Sequence, residues 1–367
     1  MLLNLTILPG DGIGPEVTEQ AVLVLEAVAD AFGHQLQLQS KNIGGAALTA
    51  VNDPLPADTI QACLASSAVL LGAVGSPAFD HFPGHLRPEA GLLRLRRELG
   101  AYANLRPAIC FPALEHCSPL RPDLVRGTDI MIVRELLGGL YFGEPRSIQG
   151  EPGARIATNT MTYGEPAIER IARVAFDLAV KRRQKVLSVD KANVLECSRL
   201  WREVVTRCSK DYPSVHLSHM YVDSAAMSLV QRPQDWDVVL TENMFGDILS
   251  DQAGGVVGSL GLLASASIGG PVGVYEPVHG SAPDIAGKGI ANPLGAILSA
   301  ALLLRHSFQL EQEAASIENS VSAVLNQGSR TADLVRAAQS PTPTTEMGSQ
   351  VVKAVKELTA AAKRKLA

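Results

Sequence analysis

Two carboxylates, Asp247 and Asp251, are four residues apart in the segment 243–251, which the sequence predicts to be a helix capped by Asn243. On one helix face they repel each other, because no lysine or arginine lies within four residues of either. A divalent cation would relieve that repulsion, and carboxylate oxygens without a nearby His or Cys favour Mg²⁺ or Mn²⁺. A solvated acidic face is an equally good interpretation of the spacing alone.

Arginines form a second group of candidate residues. Arg96 lies in the charged, helix-like segment 91–99, Arg106 follows it, and Arg134 comes directly after the apolar run 130–133. The forked guanidinium group binds carboxylates through two hydrogen bonds, so this group predicts an anionic substrate. For Arg134, at the end of a strand, a binding site is the preferred interpretation. For the arginines of the helix-like segment, a solvated face is preferred.

A lysine, Lys191, follows the buried strand predicted over 186–189, at the end where open α/β sheets bind ligands. Beside a cation and arginines it is suited to act as a base, because like charge disfavours the ammonium form. A pair with Asp190 explains it equally well. The Gly/Pro/Ser loop 277–284 can present backbone N–H groups to an anion or a nucleotide. Together these patterns indicate a Mg²⁺-dependent enzyme acting on a small substrate with several carboxylates, and they leave the reaction open.

Buried strands and amphipathic helices alternate along the chain, which is typical of an α/β fold with three layers. The predicted strands are 3–8, 69–74, 129–133, 186–189, 215–222, 238–241 and 272–275. The predicted helices are one opened by Pro15, then 166–182, 244–257, 293–305, 312–326 and 351–365. The polar, Pro/Gly-rich segment 141–163 indicates a protruding arm or hairpin, and composition alone places no domain boundary.

The composition limits the kind of protein. The chain has 367 residues, 46% hydrophobic and 19% charged, which predicts two domains or one large one and excludes a disordered chain. A net charge of −5 argues against general affinity for nucleic acids or anionic membranes. Five cysteines without a C-x-x-C pair, and no recognisable signal peptide, predict a reduced, cytoplasmic protein. The longest uncharged run, 252–275, is too rich in glycine for a membrane helix.

Three motifs that could suggest other functions are incomplete. The turn 10–14 is one residue short of the dinucleotide fingerprint G-x-G-x-x-G. His216 and His219 face opposite sides of a predicted strand, so a zinc site is not expected. The basic run 181–185 is interpreted as a solvated helix end rather than a nucleic-acid surface.

Five motifs, in chain order, are similar to those of a known family, the β-decarboxylating dehydrogenases of 2-hydroxy acids, which includes isocitrate and isopropylmalate dehydrogenases. The motifs occupy 8–16, 104–107, 190–193, 245–251 and 276–286. The resemblance covers essentially the whole chain and implies a three-layer, two-domain α/β fold with a central sheet and a protruding arm. It places a discontinuous, cofactor-binding first domain at 1–101 and 258–367. The second domain, 102–257, would hold metal ligands, the dimer interface and the arm, about 142–164.

The resemblance also implies roles for individual residues. The arginines that match the positions binding the malate carboxylates are Arg96, Arg106 and Arg134. The matching metal ligands are Asp223, Asp247 and Asp251, of which Asp223 also borders the substrate. Lys191 matches the base that takes the hydroxyl proton, and Tyr141 matches the donor that protonates the enolate left by loss of CO₂. Because Lys191 and Asp223 match residues that complete the neighbouring subunit's site, the resemblance implies an obligate homodimer.

Substrate choice is expected to depend on the helix before the first arginine. Ala90 and Leu92 stand where isocitrate enzymes of the family carry Ser and Asn for a third carboxylate, and Leu93 adjoins them. An apolar pair suits an isopropyl group and would leave a third carboxylate unpaired. We therefore expect oxidative decarboxylation of (2R,3S)-3-isopropylmalate to 4-methyl-2-oxopentanoate, a step of leucine biosynthesis. A tartrate, D-malate or homoisocitrate dehydrogenase is the alternative enzyme, and a catalytically silent binding protein of this fold is the non-enzyme alternative.

The resemblance implies NAD⁺ as the cofactor. Asp284 and Ile285 stand where NADP-dependent members carry Lys and Tyr, and a carboxylate there can accept from ribose hydroxyls and repels a 2′-phosphate. The other positions that match cofactor contacts are Glu89 (which also borders the substrate), Asn193, Glu276, His279, Gly280, Ser281, Ala282 and Asn292. One departure from the family pattern is Ala264, where proline is usual.

Overall fold

The computed structural model describes residues 1–335 and 340–366 of the chain. Two compact units are present. Unit 1 comprises Met1–Ala101, Phe111–Pro119 and Val257–Ala367, and unit 2 comprises Tyr102–Cys110 and Leu120–Val256. Both contain strands and helices, so the predicted α/β class is confirmed.

Strands and helices alternate through most of the chain. The strands are β1 (Leu2–Gly10), β2 (Gln35–Ser40), β3 (Ala68–Ala73), β4 (Ala103–Ile109), β5 (Asp129–Glu135), β6 (Ser147–Gln149), β7 (Ile156–Thr158), β8 (Lys185–Asp190), β9 (His216–Tyr221), β10 (Val238–Thr241), β11 (Ala264–Ile268) and β12 (Gly273–Pro277). The helices are α1 (Gly14–Phe32), α2 (Gly44–Val51), α3 (Ala57–Ala65), α4 (Pro88–Glu98), α5 (Pro122–Val125), α6 (Glu165–Val180), α7 (Glu196–Ser209), α8 (Val222–Gln231), α9 (Asn243–Val257), α10 (Leu294–Phe308), α11 (Glu311–Asn326) and α12 (Thr344–Leu366).

In unit 1 the strands are ordered β2-β1-β3-β12-β11, all parallel except the antiparallel pair β11–β12. β3 is buried along its whole length, as its apolar sequence predicts. Helices α1, α10, α11 and α12 pack against one another. Leu8, Leu71 and Val274 belong to one buried aliphatic cluster, and this burial fixes the strands whose ends carry the loops of unit 1.

In unit 2 the strands are ordered β4-β5-β10-β8-β9, with β4 antiparallel to β5 and the others parallel. Helix α6 packs on β5, β10 and β8, and α7 packs on α6. In the register of these strands Thr241 of β10 is paired with Arg134 of β5 on one side and Val189 of β8 on the other. The carboxyl ends of the three strands therefore share one edge, which carries Arg134, the start of α9 and Lys191.

The predicted elements are present, with shifts of a few residues at most of their ends. The largest shift is in the last helix, which begins at Thr344 instead of residue 351. The segment 141–163 contains the antiparallel hairpin β6–β7, as predicted. Strand β2 is polar and mostly exposed, and β4 contains Pro107, so neither shows the apolar run that would have predicted it. Across residues 1–335 and 340–366, no helix has both the length and the apolar character needed to cross a membrane.

One segment differs from the predicted division of the chain. Phe111–Pro119 falls in the range expected for the second domain, but it groups with unit 1. Leu114 is fully buried there, the Cys117 thiol donates to the carbonyl of Leu334 (3.3 Å), and Arg330 donates to the carbonyl of Ala113 (2.7 Å). These are tertiary contacts between distant segments, which composition does not reveal.

The basic run 181–185 is only partly a solvated helix end. Arg182 donates to Asp237 (2.8 Å) and to Asp129 (2.9 Å), and the backbone N–H of Arg183 donates to the second oxygen of Asp237 (2.9 Å). The Asp237 side chain is fully buried, so it requires these partners. The two arginines stabilise unit 2.

Candidate active site

Helix α9 carries both candidate aspartates, and Glu242 caps its N-terminus. The Glu242 carboxylate accepts from the backbone N–H groups of Met244 (3.1 Å) and Phe245 (2.7 Å). Asn243, the predicted cap, directs its side chain to Arg134 and to the turn after β5 instead. The predicted cap was wrong because the adjacent acidic side chain reaches the same end of the helix and leaves the amide for other partners.

Asp247 is the centre of a cluster of charges in unit 2. Its Oδ1 accepts from Nη1 of Arg134 and lies 3.3 Å from Nη1 of Arg106, while its Oδ2 accepts from the Tyr141 hydroxyl (2.8 Å). Both guanidinium groups are buried, with 2% and 8% of their side chains exposed. The repulsion between the two aspartates is therefore reduced by arginines from β4 and β5, which lie far from α9 in sequence.

Arg106 also contacts the end of this cluster near Asp251. Its Nε donates to the side-chain oxygen of Asn104 (2.7 Å), and its Nη1 donates to Ser250 Oγ (2.7 Å) and lies 3.5 Å from Asp251 Oδ1. Asp251 is about half exposed, and partial burial raises its pKa, with the charge of Asp247 adding to the shift and Arg106 opposing it. A cation bound beside Asp251 would oppose this shift, because a nearby positive charge favours the ionised carboxylate.

Tyr141 lies in the short 3₁₀ turn Gly139–Tyr141 that follows β5. Burial, and then the hydrogen bond to Asp247, raise the pKa of its phenol to about 12. The guanidinium carbon of Arg134 lies 5.6 Å from the centre of its ring. At neutral pH the phenol is protonated, so it can donate a proton.

Lys191 and Asp223 form an ion pair of their own in unit 2, from the end of β8 to the first turn of α8. The hydrogen bond from Lys191 lowers the pKa of the exposed Asp223 carboxyl. Asp190 binds Arg202 through two hydrogen bonds (2.8 and 2.9 Å). The alternative interpretation, in which Lys191 serves only to neutralise Asp190, is therefore wrong.

The donor set of the predicted metal site is divided. Asp247 and Asp251 supply carboxylate oxygens from one face of α9, which fits a hard divalent cation. Within residues 1–335 and 340–366, no three His, Cys, Asp or Glu side chains are grouped as a metal site, so Asp223 is not gathered with the other two. One chain thus provides a pair of carboxylates at this place and a third one elsewhere in unit 2.

In unit 1, Arg96 of α4 binds Glu276 at the end of β12. Its Nη2 donates to Glu276 Oε1 (2.6 Å), and both side chains are almost completely buried. The Nε of Arg96 is buried and makes no hydrogen bond within the described part of the chain. A buried N–H without an acceptor is costly, so this group fits an acceptor from a ligand.

The rest of α4 presents the residues expected to select the substrate. Leu92 and Leu93 are half-buried, Glu89 lies one helical turn before them, and Leu92 also packs on the aliphatic cluster of unit 1. Arg94 is partly exposed and binds Asp53 (3.1 Å), whereas the Arg96 side chain is buried, so the interpretation as a solvated face is wrong for Arg96. The helix has an apolar surface beside a charged one.

The loop after β12 is held against the turn after β1 at glycines. Ile13 N donates to Ser281 O (2.8 Å), and a Cβ on Gly12 would lie 2.0 Å from that oxygen. A Cβ on Gly75 would lie 3.2 Å from Ser281 Oγ and 3.3 Å from Glu89 Oε1. A cleft of about 370 Å³ adjoins these loops, in the range of small-molecule sites. Its lining includes Gly10, Gly12, Gly75, Ser76 and Pro283.

Further residues predicted to contact the cofactor lie in the same loop region of unit 1. The Nε2 of His279 is buried without a hydrogen bond in residues 1–335 and 340–366, its Nδ1 lies 2.9 Å from Gly280 O, and burial lowers its pKa. Asn292 donates to Asp333 (3.0 Å), while Asp284 is exposed. A neutral imidazole with one unpartnered nitrogen fits a heterocyclic base. The remaining predicted positions are Ala282 and Ile285 in this loop and Asn193, exposed after β8 in unit 2.

Two functional positions were missed in the sequence. Asn243 connects Arg134 to the turn that carries Tyr141. Asp11 accepts from the backbone N–H groups of Gly45 (2.9 Å), Ala46 (2.8 Å) and Gly75 (2.9 Å), and thereby fixes one wall of the cleft. The signal for Asp11 was its place between two glycines after a buried strand. Asn243 had been assigned to a cap, which hid its other partners.

Comparisons with known proteins agree over nearly the whole chain. The sequence model of the isocitrate/isopropylmalate dehydrogenase family matches residues 4–351. The 3-isopropylmalate dehydrogenase of Oleidesulfovibrio alaskensis is 56% identical over 91% of this chain and 94% of its own length. That of Geobacillus kaustophilus is 54% identical over 98% and 97%.

A solved structure shows the same fold. The isocitrate dehydrogenase from Methylococcus capsulatus superposes with a TM-score of 0.85 at 37% identity, over 96% of this chain and 99% of that one. The family match over residues 4–351 includes all five motifs. The chain belongs to the isocitrate/isopropylmalate dehydrogenase family, a family of oxidoreductases.

Proposed function

We propose that the chain catalyses the NAD⁺-dependent oxidative decarboxylation of 3-isopropylmalate to 4-methyl-2-oxopentanoate and CO₂, with a divalent cation, in leucine biosynthesis. One observation carries the proposal: the Asp247 carboxylate contacts Arg134, Arg106 and the Tyr141 phenol together. Carboxylate-binding cations, a metal-ligating carboxylate and a proton donor are the groups that this reaction requires. Relatives that are 54–56% identical and carry the name of this enzyme support the substrate.

In this mechanism the arginines bind the carboxylates of the malate. Arg134 and Arg106 each direct Nε to an asparagine oxygen, at 2.9 and 2.7 Å, so the Nη groups are held in a fixed plane. Burial of both side chains strengthens their attraction to an anion. Arg96 in unit 1 carries a buried Nε without a hydrogen-bond partner in the described residues, which suits it to a carboxylate.

Two residues move protons. Lys191 takes the proton of the C2 hydroxyl, and Tyr141 later gives its phenolic proton to C3 of the enolate left by loss of CO₂: the O–H bond breaks as the C–H bond forms. The high pKa of Tyr141 keeps its phenol protonated at neutral pH, and water reprotonates it after the transfer. Asp247 and Asp251 would hold a divalent cation, which would supply Lewis-acid stabilisation of negative charge, and the loop after β12 would hold NAD⁺, which would supply the hydride acceptor.

We further propose a homodimer whose sites are shared. Lys191 and Asp223 are paired with each other and not gathered with Asp247 and Asp251, so a second copy would have to bring them to that cluster. The helices α8 and α9, linked by a hydrogen bond from Gln252 to Ala226 O (2.8 Å), leave large apolar side chains in solvent. The most exposed are Met227 (59%) and Ile248 (57%). A second copy covering this surface would bury them.

Local features support NAD⁺ as the cofactor and the cytoplasm as the cell compartment. Asp284 is exposed in the loop after β12, where its charge favours ribose hydroxyls over a 2′-phosphate. His279, whose Nε2 has no hydrogen-bond partner within the described residues, fits the adenine of NAD⁺. Cys63, Cys197 and Cys208 are free thiols, which suits the reducing cytoplasm.

The test is NADH formation from a panel of acids: 3-isopropylmalate, isocitrate, homoisocitrate, D-malate and tartrate, each with NAD⁺ or NADP⁺ and with Mg²⁺ or EDTA. We expect the highest kcat/KM for 3-isopropylmalate with NAD⁺, and no activity in EDTA. Equal or better turnover of another acid would contradict the substrate. Absence of activity with every acid would favour a silent binding protein of the same fold.

A further inference from the structure

Asn243 connects the substrate arginine to the turn that carries the proton donor. Its side chain is fully buried. The amide oxygen accepts from Arg134 Nε (2.9 Å), and the amide nitrogen donates to the carbonyls of Leu136 (3.2 Å) and Gly138 (3.0 Å). A guanidinium only donates and a carbonyl only accepts, so these partners fix the orientation of the amide.

The far ends of these contacts meet again at Asp247. Arg134 Nη1 donates to one oxygen of that carboxylate, and the Tyr141 hydroxyl donates to the other (2.8 Å). The contacts therefore form a closed ring through Asn243, Arg134, Asp247 and Tyr141. A ring of this kind holds the guanidinium and the phenol at a fixed distance from each other.

Asn243 is itself held from behind. Its backbone N–H donates to the Tyr163 hydroxyl (3.0 Å), and that hydroxyl donates to the helix-capping carboxylate of Glu242 (3.3 Å). The backbone N–H of Gly139 in the turn donates to Thr162 O (3.2 Å). Tyr163 thus holds the backbone of Asn243, and the adjacent Thr162 holds the turn that carries Tyr141.

We infer that Asn243 is a positioning residue for the reaction. It fixes the plane of the Arg134 guanidinium and the position of the Tyr141 phenol, so that both groups act on the same substrate molecule. This inference rests on the proposed function. A neutral amide is the required chemistry, because an aspartate here would offset the positive charge that Arg134 presents to the substrate. It would also set a second oxygen against the carbonyls of Leu136 and Gly138.

The test uses Asn243→Asp, which conserves volume, and Asn243→Ala, with Asn4→Ala as the matched control. Asn4 also donates from its amide to a carbonyl (Ala65 O, 3.0 Å), but it lies in unit 1. We expect either Asn243 variant to raise KM for 3-isopropylmalate about tenfold and to lower kcat about 10- to 100-fold. KM for NAD⁺ should stay within about twofold, because most residues assigned to the cofactor lie in unit 1.

A second readout isolates proton transfer from hydride transfer. The product 4-methyl-2-oxopentanoate, incubated with the enzyme and Mg²⁺ in D₂O, exchanges its C3 protons through the enolate, and NMR follows that exchange without NAD⁺. We expect the Asn243 variants to slow the exchange about tenfold or more per folded molecule, while Asn4→Ala does not. Thermal unfolding gives the folded fraction, and if Asn243→Ala does not fold, Asn243→Asp serves alone.

The outcomes separate this inference from the proposed function. If the wild type prefers another acid of the panel, the variants are measured with that acid and its product. Folded Asn243→Asp with kcat, KM and exchange all within twofold of the wild type would overturn the inference alone. A parallel rise of KM for the acid and for NAD⁺ would also overturn it, since that indicates general loosening. A wild type inactive with every acid, including in exchange, would overturn both.

Discussion

The two units hold their candidate functional residues in different ways. In unit 2, around Asp247, charged side chains project from β4, β5 and α9 and satisfy one another. In unit 1 the loop after β12 lies against Gly12 and Gly75, and two buried side-chain nitrogens, those of Arg96 and His279, have no hydrogen-bond partner within residues 1–335 and 340–366. This difference indicates that unit 2 carries the reacting groups and that unit 1 carries groups for ligand recognition. Unit 2 holds preorganised charges suited to reacting atoms, and unit 1 holds polar atoms suited to a ligand that arrives.

The largest effect is expected from Asp247→Asn in unit 2. The change removes a carboxylate from the proposed metal site and the negative charge that faces both arginines, so kcat should fall at least about 10³-fold. The measurement is steady-state NADH formation, with circular dichroism to verify folding. The control Asp123→Asn, an exposed aspartate of the same unit paired with Arg121 (3.0 Å), should be unaffected. Activity of Asp247→Asn within tenfold of the wild type would contradict the proposed role of Asp247 in the reaction.

The next prediction tests whether unit 2 supplies residues to two different sites. Lys191→Ala and Asp247→Asn should each be inactive alone. When the two variants are coexpressed, half of the dimers are hybrids, and each hybrid holds one site with both native residues, so about a quarter of the wild-type activity should return. Coexpression of Lys191→Ala with unaltered chain, diluted to the same number of intact sites, is the reference. If the mixture stays inactive although hybrids form, each site draws both residues from one chain.

Tyr141→Phe should have a smaller effect. It keeps the ring under Arg134 and removes the hydroxyl, and with it the proton to be donated and the hydrogen bond to Asp247, so product formation should slow about 10²-fold. The pKa of Tyr141 is raised to about 12, which means that the folded protein holds this proton more tightly than the unfolded chain. The resulting stability is complete below about pH 10, the ordinary tyrosine value, and is lost as pH rises through about 12. The ultraviolet titration of the wild type minus that of Tyr141→Phe measures the pKa of Tyr141. Ionisation near pH 10 would show that this pKa is not raised.

The smallest effect concerns unit 1. Replacing Asp284 with Lys and Ile285 with Tyr should change the ratio of kcat/KM for NAD⁺ and NADP⁺ by about tenfold in favour of NADP⁺. KM for the acid should not change, because the loop after β12 is expected to contact the cofactor only. An unaltered cofactor ratio would show that another part of unit 1 selects the nucleotide.

Local patterns predicted most of the fold, while contacts between distant segments required the structure. Apolar runs predicted β3 and β10, but β4, interrupted by Pro107, was missed, and with it the position of Arg106. The spacing of the acidic pair on α9 drew attention to these two residues, yet the arginines that contact them come from β4 and β5. Asn243 shows the same limit: a capping preference is local, and its actual partners depend on the register of β5 and β10.

In the proposed reaction, the enzyme both oxidises and decarboxylates each molecule of 3-isopropylmalate. The most direct measurement uses 3-isopropylmalate labelled with ¹³C in the carboxylate attached to C3, with NAD⁺ and Mg²⁺, and records NADH and labelled CO₂ in the same sample. We expect equal amounts of NADH and labelled CO₂ at every time point, with unlabelled 4-methyl-2-oxopentanoate as the other product. NADH without labelled CO₂, or neither product, would contradict it.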